Sequence, residues 1–256
     1  MRVADPNRAA VLRLVVIAGF AALAGCAALP GAPPGDAITP FSASAPEQPL
    51  PRDWRKLVIS PAKAQTEYRL VYDEAAGTVV VRARARRSAS GLKQPLDVDP
   101  AVRPTIAWRW RVVELIDGAD NGDRYAEDAP VRLLLFFDGD RRALAPRDRT
   151  ALELAETLSG QPVPYATLIY LWENRRPVGT IIDSAHTGRV KMLVAGSGRD
   201  RLGQWKRFER NYVEDYTRAF GEPPRRLIGV GILTDTDNTG AEVEAFYGDI
   251  ELRAGS

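Results

Sequence analysis

Ile106, Trp108, Trp110 and Val112 alternate with Ala107, Arg109 and Arg111. In an extended chain successive side chains point to opposite faces, so this stretch reads as a strand. Its aromatic and aliphatic residues turn inward and its arginines outward. Other segments repeat the theme. Glu67–Tyr72 and Thr78–Arg84 flank the turn-forming residues 73–77 and predict a hairpin. Val131–Phe137 and Ala166–Trp172 are apolar on both faces, as central strands covered on each side should be. Gly179–Asp183, Arg189–Ala195, Arg226–Thr234 and Glu242–Leu252 complete the set. Many strands separated by Gly, Pro, Asn and Asp predict a mainly β chain built as a sandwich or barrel, with one or two short helices.

The first helix is expected from a capping box at Thr150-Ala151-Leu152-Glu153, running to Leu158 and stopping at Gly160 and Pro162. The stretch after Trp205 can be read with either period. The preferred reading places residues 205–210 in a strand and Val213–Ala219 in a helix ended by Gly221-Glu222-Pro223-Pro224.

Ahead of these elements the chain has a different character. Arg2, Arg8 and Arg13 precede an apolar run, Leu14–Ala24, that is shorter than the roughly 18–20 residues a spanning helix needs. The run ends in Leu23-Ala24-Gly25-Cys26, which resembles the lipobox of bacterial lipoproteins. That resemblance implies cleavage after a signal peptide at residues 1–25, lipidation of Cys26 and attachment to a membrane. Ala27 after the cysteine implies the outer membrane, facing the periplasm. Cys26 is the only cysteine, so no intramolecular disulfide can form. Residues 26–50 are rich in Pro, Ala, Gly and Ser and read as a tether reaching up to ~75 Å, with one domain over residues 51–254.

Charge excludes one class of partner. Without residues 1–25 the chain loses three arginines and Asp5, so 35 basic and 33 acidic side chains become 32 of each. A nucleic-acid partner would require a basic excess.

Trp108-Arg109-Trp110-Arg111-Val112, Pro164–Leu168, Arg210-Asn211-Tyr212 with Asp215-Tyr216, Phe220–Pro224, Thr234–Thr239 and Tyr247–Ile250 together resemble the bacterial family named for domain of unknown function 3047. The resemblance spans residues 54–253 and carries no activity with it. The last strand, polar loop and strand also resemble the end of galactose-binding-like jelly rolls, which implies a jelly-roll β-sandwich.

Candidate sites are few. Asp235-Thr236-Asp237-Asn238-Thr239-Gly240 is the densest polar run, and Asp235, Asp237 and Asn238 offer the oxygens that suit Ca²⁺. The helix-loop-helix calcium pattern then fails, because Thr239 replaces its third acid and Phe246 stands where a bidentate Glu is required. An Asx-turn, glycan contact through Asp235, Asp237, Asn238 and Thr239, and calcium remain as readings of this loop. His186 is the single histidine, and with Ser184 and Asp183 it suggests a hydrolytic triad, though no nucleophile elbow surrounds the serine. One histidine argues against catalytic zinc. Glycoside cleavage by paired carboxylates has too many candidates, Asp123, Glu127, Asp128, Asp215, Asp235, Asp237 and Asp249, for sequence to choose a pair. Trp172 and Trp205 are candidate stacking platforms for a sugar, whereas Trp108 and Trp110 read as core. Arg210, Asp215 and Arg189 are expected to be ion-paired inside the domain. The resulting expectation is a lipid-anchored envelope module that binds a glycan or another envelope component, its enzymatic character left open. A carboxylate hydrolase and an assembly lipoprotein with a protein partner stand as alternatives.

Overall fold

The computed structural model describes residues 34–255. The signal-peptide span 1–25 and Cys26 lie outside the described residues. Two sheets face each other across a continuous apolar core. The strands are β1 (Arg55–Val58), β2 (Glu67–Asp73), β3 (Thr78–Arg86), β4 (Ala89–Val98), β5 (Thr105–Val112), β6 (Ala129–Phe137), β7 (Ala166–Glu173), β8 (Ile181–Asp183), β9 (Val190–Ser197), β10 (Lys206–Asn211), β11 (Leu227–Asp235) and β12 (Glu242–Arg253). The seven-stranded sheet runs β1-β4-β11-β6-β7-β9-β8 and the five-stranded sheet β10-β5-β12-β3-β2. Pairing is antiparallel throughout except between β7 and β9.

The topology is that of a jelly roll. The last two strands each slot between early ones, β11 between β4 and β6, and β12 between β3 and β5. The chain also alternates between sheets from β3 to β6, so it wraps as two interlocked Greek keys. The alternation in β5 is observed directly: Trp108 and Trp110 are buried between the sheets, while Arg109 and Arg111 face outward. Every residue of β7 is buried, as its two-sided apolar pattern requires.

Two strands depart from the sequence expectation. The central strand β4 carries Gly91 and Pro95 and has no strand signature. Pro95 sits where β11 breaks register between Leu227 and Gly229, an irregularity that tolerates a missing N–H. Gly91 is required because a Cβ there would run into the Ile232 carbonyl of the neighbouring strand. The short edge strand β1 is likewise unmarked in the sequence.

Helix α1 (Pro146–Ser159) starts earlier than the capping box implied. Proline at the first turn supplies the helical φ in advance and Asp148 supplies a first-turn acid, so Thr150 ends up in the body of the helix. Helix α2 (Tyr212–Phe220) follows β10 directly, in agreement with the strand-then-helix reading. The Asn211 side chain caps it, accepting from the backbone amides of Val213 and Glu214 at 3.1 and 3.2 Å. Gly160 and Gly221 end the two helices at φ 66° and 73°, where a side chain would be strained.

The domain begins well before residue 51. Ile38 and Phe41 are buried in the core, and the Phe41 ring packs on Trp54 at 4.8 Å. The Thr39 amide donates to Gln94 at 2.9 Å, and the Asp249 carboxylate accepts from the Ser42 amide and hydroxyl at 2.9 and 2.6 Å. The proline-rich composition concealed this, since two apolar anchors suffice to dock an extended segment. The described chain starts at the end of the sandwich where β4 stops, with the Gly35 carbonyl accepting from the Asp97 amide.

Candidate functional site

Three regions gather chemically capable side chains. The first is the polar loop after β11. Asp235 lies at the strand end and Asp237 in the turn, and Asp128, just ahead of β6, joins them. One oxygen from each of these carboxylates lies within 4.8 Å of the others. Asp128 accepts from the amides of Asn238 and Thr239 and from the Thr239 hydroxyl at 2.7–3.2 Å, which closes the loop. Asp235 accepts from the Ala129 amide at 3.0 Å and from Arg132 Nε at 3.2 Å. Lys63 approaches Asp237 Oδ2 at 2.6 Å, while Asp237 Oδ1 is enclosed and has no partner. Burial pushes Asp235 up to about 6, against the pull of Arg132; the charges of Asp128 and Asp237 add to the push.

Asn238 turns away from this carboxylate group and donates its amide to the Arg124 carbonyl at 3.1 Å. Asp128 takes the third place. Sequence reasoning could not select it, because it lies 111 residues from Thr239. The three carboxylates are hard oxygen donors of the kind Ca²⁺ takes, and Asp237 offers an oxygen that no protein donor uses. Arg132 and Lys63 already face two of the acids, so a cation there would have to displace Lys63.

The second region is the outer face of the five-stranded sheet. Trp205 is half-buried there and donates Nε1 to Asp73 Oδ1 at 3.0 Å. Arg111 pairs with the other Asp73 oxygen at 2.6 Å. The Trp205 ring lies against the guanidinium groups of Arg109 and Arg111, 5.3 and 5.6 Å from its centre. Next to it is a shallow depression floored by Ala107 and lined by Arg109, Arg207, Asp249 and Glu251. Trp172, by contrast, is only 2% exposed, with its indole N–H bonded to the Gly198 carbonyl at 3.0 Å. It is a core residue and presents no face to a ligand.

The third region surrounds α2. Asp215, buried, receives Arg210 at 2.6 and 2.8 Å, Arg218 at 2.9 Å and the Tyr170 hydroxyl at 2.9 Å. Arg189 is buried and pairs with Glu222 at 2.6 Å, donates to the Tyr165 carbonyl at 3.2 Å and stacks on the Tyr165 ring. Both are the internal ion pairs expected from sequence, in two separate groups. Their polar atoms are engaged with one another.

Asp183, Ser184 and His186 do not assemble. His186 is exposed, its backbone amide rather than its ring meets Ser184 Oγ, and Asp183 pairs with Lys191 at 2.6 Å. Among the remaining acids, Asp123 caps a turn through the Tyr125 amide and Asp249 is held by Ser42.

The motifs quoted for the family thus meet in the molecule. Tyr165, Tyr216, Phe220 and Glu222 close around Arg189, and Asp235 and Thr239 form the loop that Asp128 locks. Residues 52–251 match the family described as "Protein of unknown function (DUF3047)". The chain belongs to this family. No curated protein matches it. Among solved structures, it is similar to the carbohydrate-binding module TmCBM61 in complex with beta-1,4-galactotriose. Identity there is 12% and the TM-score 0.35, with 80% of this chain and 90% of that one covered. A beta-1,2-glucanase from Parabacteroides distasonis gives 12% identity and a TM-score of 0.38 over 88% of this chain and 26% of that one. Cellulose induced protein Cip1 gives 10% and 0.34 over 79% and 92%.

Proposed function

We propose that this family member is a lipid-anchored envelope module whose jelly roll binds a glycan on the outer face of the five-stranded sheet. The observation that carries the reading is Trp205. Its indole N–H is pinned to Asp73, the residue is only half-buried, and the depression beyond Arg109 offers guanidinium donors. A sugar presents an apolar ring face beside hydroxyls that donate and accept, and an aromatic ring with flanking charged hydrogen-bonding groups suits both. The anchor rests on Leu23-Ala24-Gly25-Cys26, and Ala27 after the cysteine supports an outer-membrane position facing the periplasm. Affinity electrophoresis through soluble envelope and plant polysaccharides tests the binding face. Trp205→Ala should abolish retardation while leaving the melting temperature within a few degrees. A wild-type protein that no polysaccharide retards would sink the proposal. Mass spectrometry of the mature protein tests the anchor, which Cys26→Ser should eliminate.

A second element of the proposal is calcium at Asp128, Asp235 and Asp237. The unpartnered Asp237 oxygen beside two buried carboxylates favours it. The ion would supply positive charge that holds the loop after β11 closed, in a structural role.

A further inference from the structure

Arg109 and Arg207 are direct cross-strand partners on β5 and β10, and both line the same shallow depression on the outer face. Like charges directly opposite each other are destabilising in a sheet, and several arginines of this sheet are relieved by an acid. Arg111 has Asp73, Arg84 has Glu244, and Arg253 has Glu209 and Glu251. Among the described residues, no carboxylate lies within ion-pair distance of Arg109 or Arg207. The two acids that share their depression are committed elsewhere: both oxygens of Asp249 are taken by Ser42, and Glu251 holds Arg253 at 2.6 Å. The backbone is also shaped for this arrangement. At the irregularity between Tyr247 and Ile250, Arg109 lies across Gly248, where a Cβ would come to 2.5 Å from its Nε.

We infer that the Arg109–Arg207 pair is a receptor for a carboxylate, and that the glycan bound beside Trp205 is an acidic one built from carboxylated sugars. The inference rests on the binding-face reading and narrows it. Paired guanidinium forks match the planar carboxylate in a bidentate manner. Asp249 and Glu251, which share the depression, disfavour a doubly charged phosphate, and a singly charged carboxylate suffers less from them. A sugar ring carrying that carboxylate can reach the Trp205 indole, because Arg109 touches both the depression and the ring.

The test compares retention of the full chain by polygalacturonate and by a neutral galactan, with dissociation constants from calorimetry at low and high salt. The acidic polymer should bind about tenfold or more tightly at low salt, and the advantage should shrink as salt rises. In Arg109→Gln/Arg207→Gln the preference should fall to about parity. The melting temperature of that variant should hold or rise, because a like-charge contact is removed. If wild type binds the neutral polymer as well as the acidic one and Trp205→Ala abolishes both, the carboxylate receptor is wrong and the binding face stands. A double variant that keeps the full acidic preference overturns the receptor as well. If wild type retains neither polymer, the carboxylate receptor is overturned, and the polysaccharide panel decides the binding face separately.

Discussion

Asp235 ties the stability of the β11 loop to pH. Its folded-state value lies at about 6 against an ordinary 3.8, so between those limits the folded protein holds more protons than the unfolded chain. Its contribution to stability is therefore fully present below pH 3.8 and lost as pH rises through 6, by about 3 kcal/mol. A bound calcium ion reverses the trend, since it favours the ionised form. The melting temperature with calcium should exceed that with chelator at pH 7.5, and the difference should shrink at pH 5. Asp237→Ala should abolish it. Melts at the two pH values check this, and indifference to calcium at both would leave the loop as a turn closed by Asp128. At this scale the sequence showed the two acids of the loop and not the third. Local spacing displays ligands on one segment, and Asp128 arrives from the start of the neighbouring strand β6 by tertiary folding.

The elements were legible where packing imposes a period. The strands β5, β6 and β7 carry it because one or both faces are buried, and the β10–α2 junction shows as a change of period at Asn211. The pattern fails where backbone rather than side chains meets the neighbour, as at Gly91 and Pro95 of β4. The same logic makes Gly196 of β9 a sharp test, because a Cβ there would enter the Trp172 ring. Gly196→Ala should lower unfolding stability by about 1–3 kcal/mol through overpacking, measured in urea. Helix α2 depends on charge instead. Asp215→Ala leaves Arg210, Arg218 and the Tyr170 hydroxyl facing a hole. The cost should be about 1–3 kcal/mol, because the buried Tyr170 hydroxyl loses its acceptor while Arg210 and Arg218 are partly solvated. Asp215→Asn, which keeps an acceptor, should cost less in the same titration.

Over the whole molecule, the proposed sites and the start of the domain have distinct places. The described chain begins beside Asp97 near the end of β4, whereas Asp128 and Asp235 sit at the opposite ends of β6 and β11. Nine residues of β11 put about 25–30 Å between those ends. The loop after β11 and the start of the described chain therefore lie at opposite ends of the sheet. Where the expected tether gives way to the folded domain is itself testable. Composition placed the boundary at residue 50, because proline-rich segments bury little, yet Ile38 and Phe41 occupy the core and Ser42 holds Asp249. Removing a buried Phe side chain costs about 3–5 kcal/mol, and a start at Gln48 loses Phe41 and Ile38 and uncovers the Trp54 ring. That loss is comparable to the whole stability of an ordinary domain, about 5–15 kcal/mol. A chain starting at Pro34 should melt cooperatively at the temperature of the unlipidated mature protein. One starting at Gln48 should melt far lower or aggregate. Phe41→Ala within the longer chain should reproduce most of the drop, which assigns it to the ring rather than to chain length. Equal melting temperatures for the two truncations would instead return residues 34–47 to the tether.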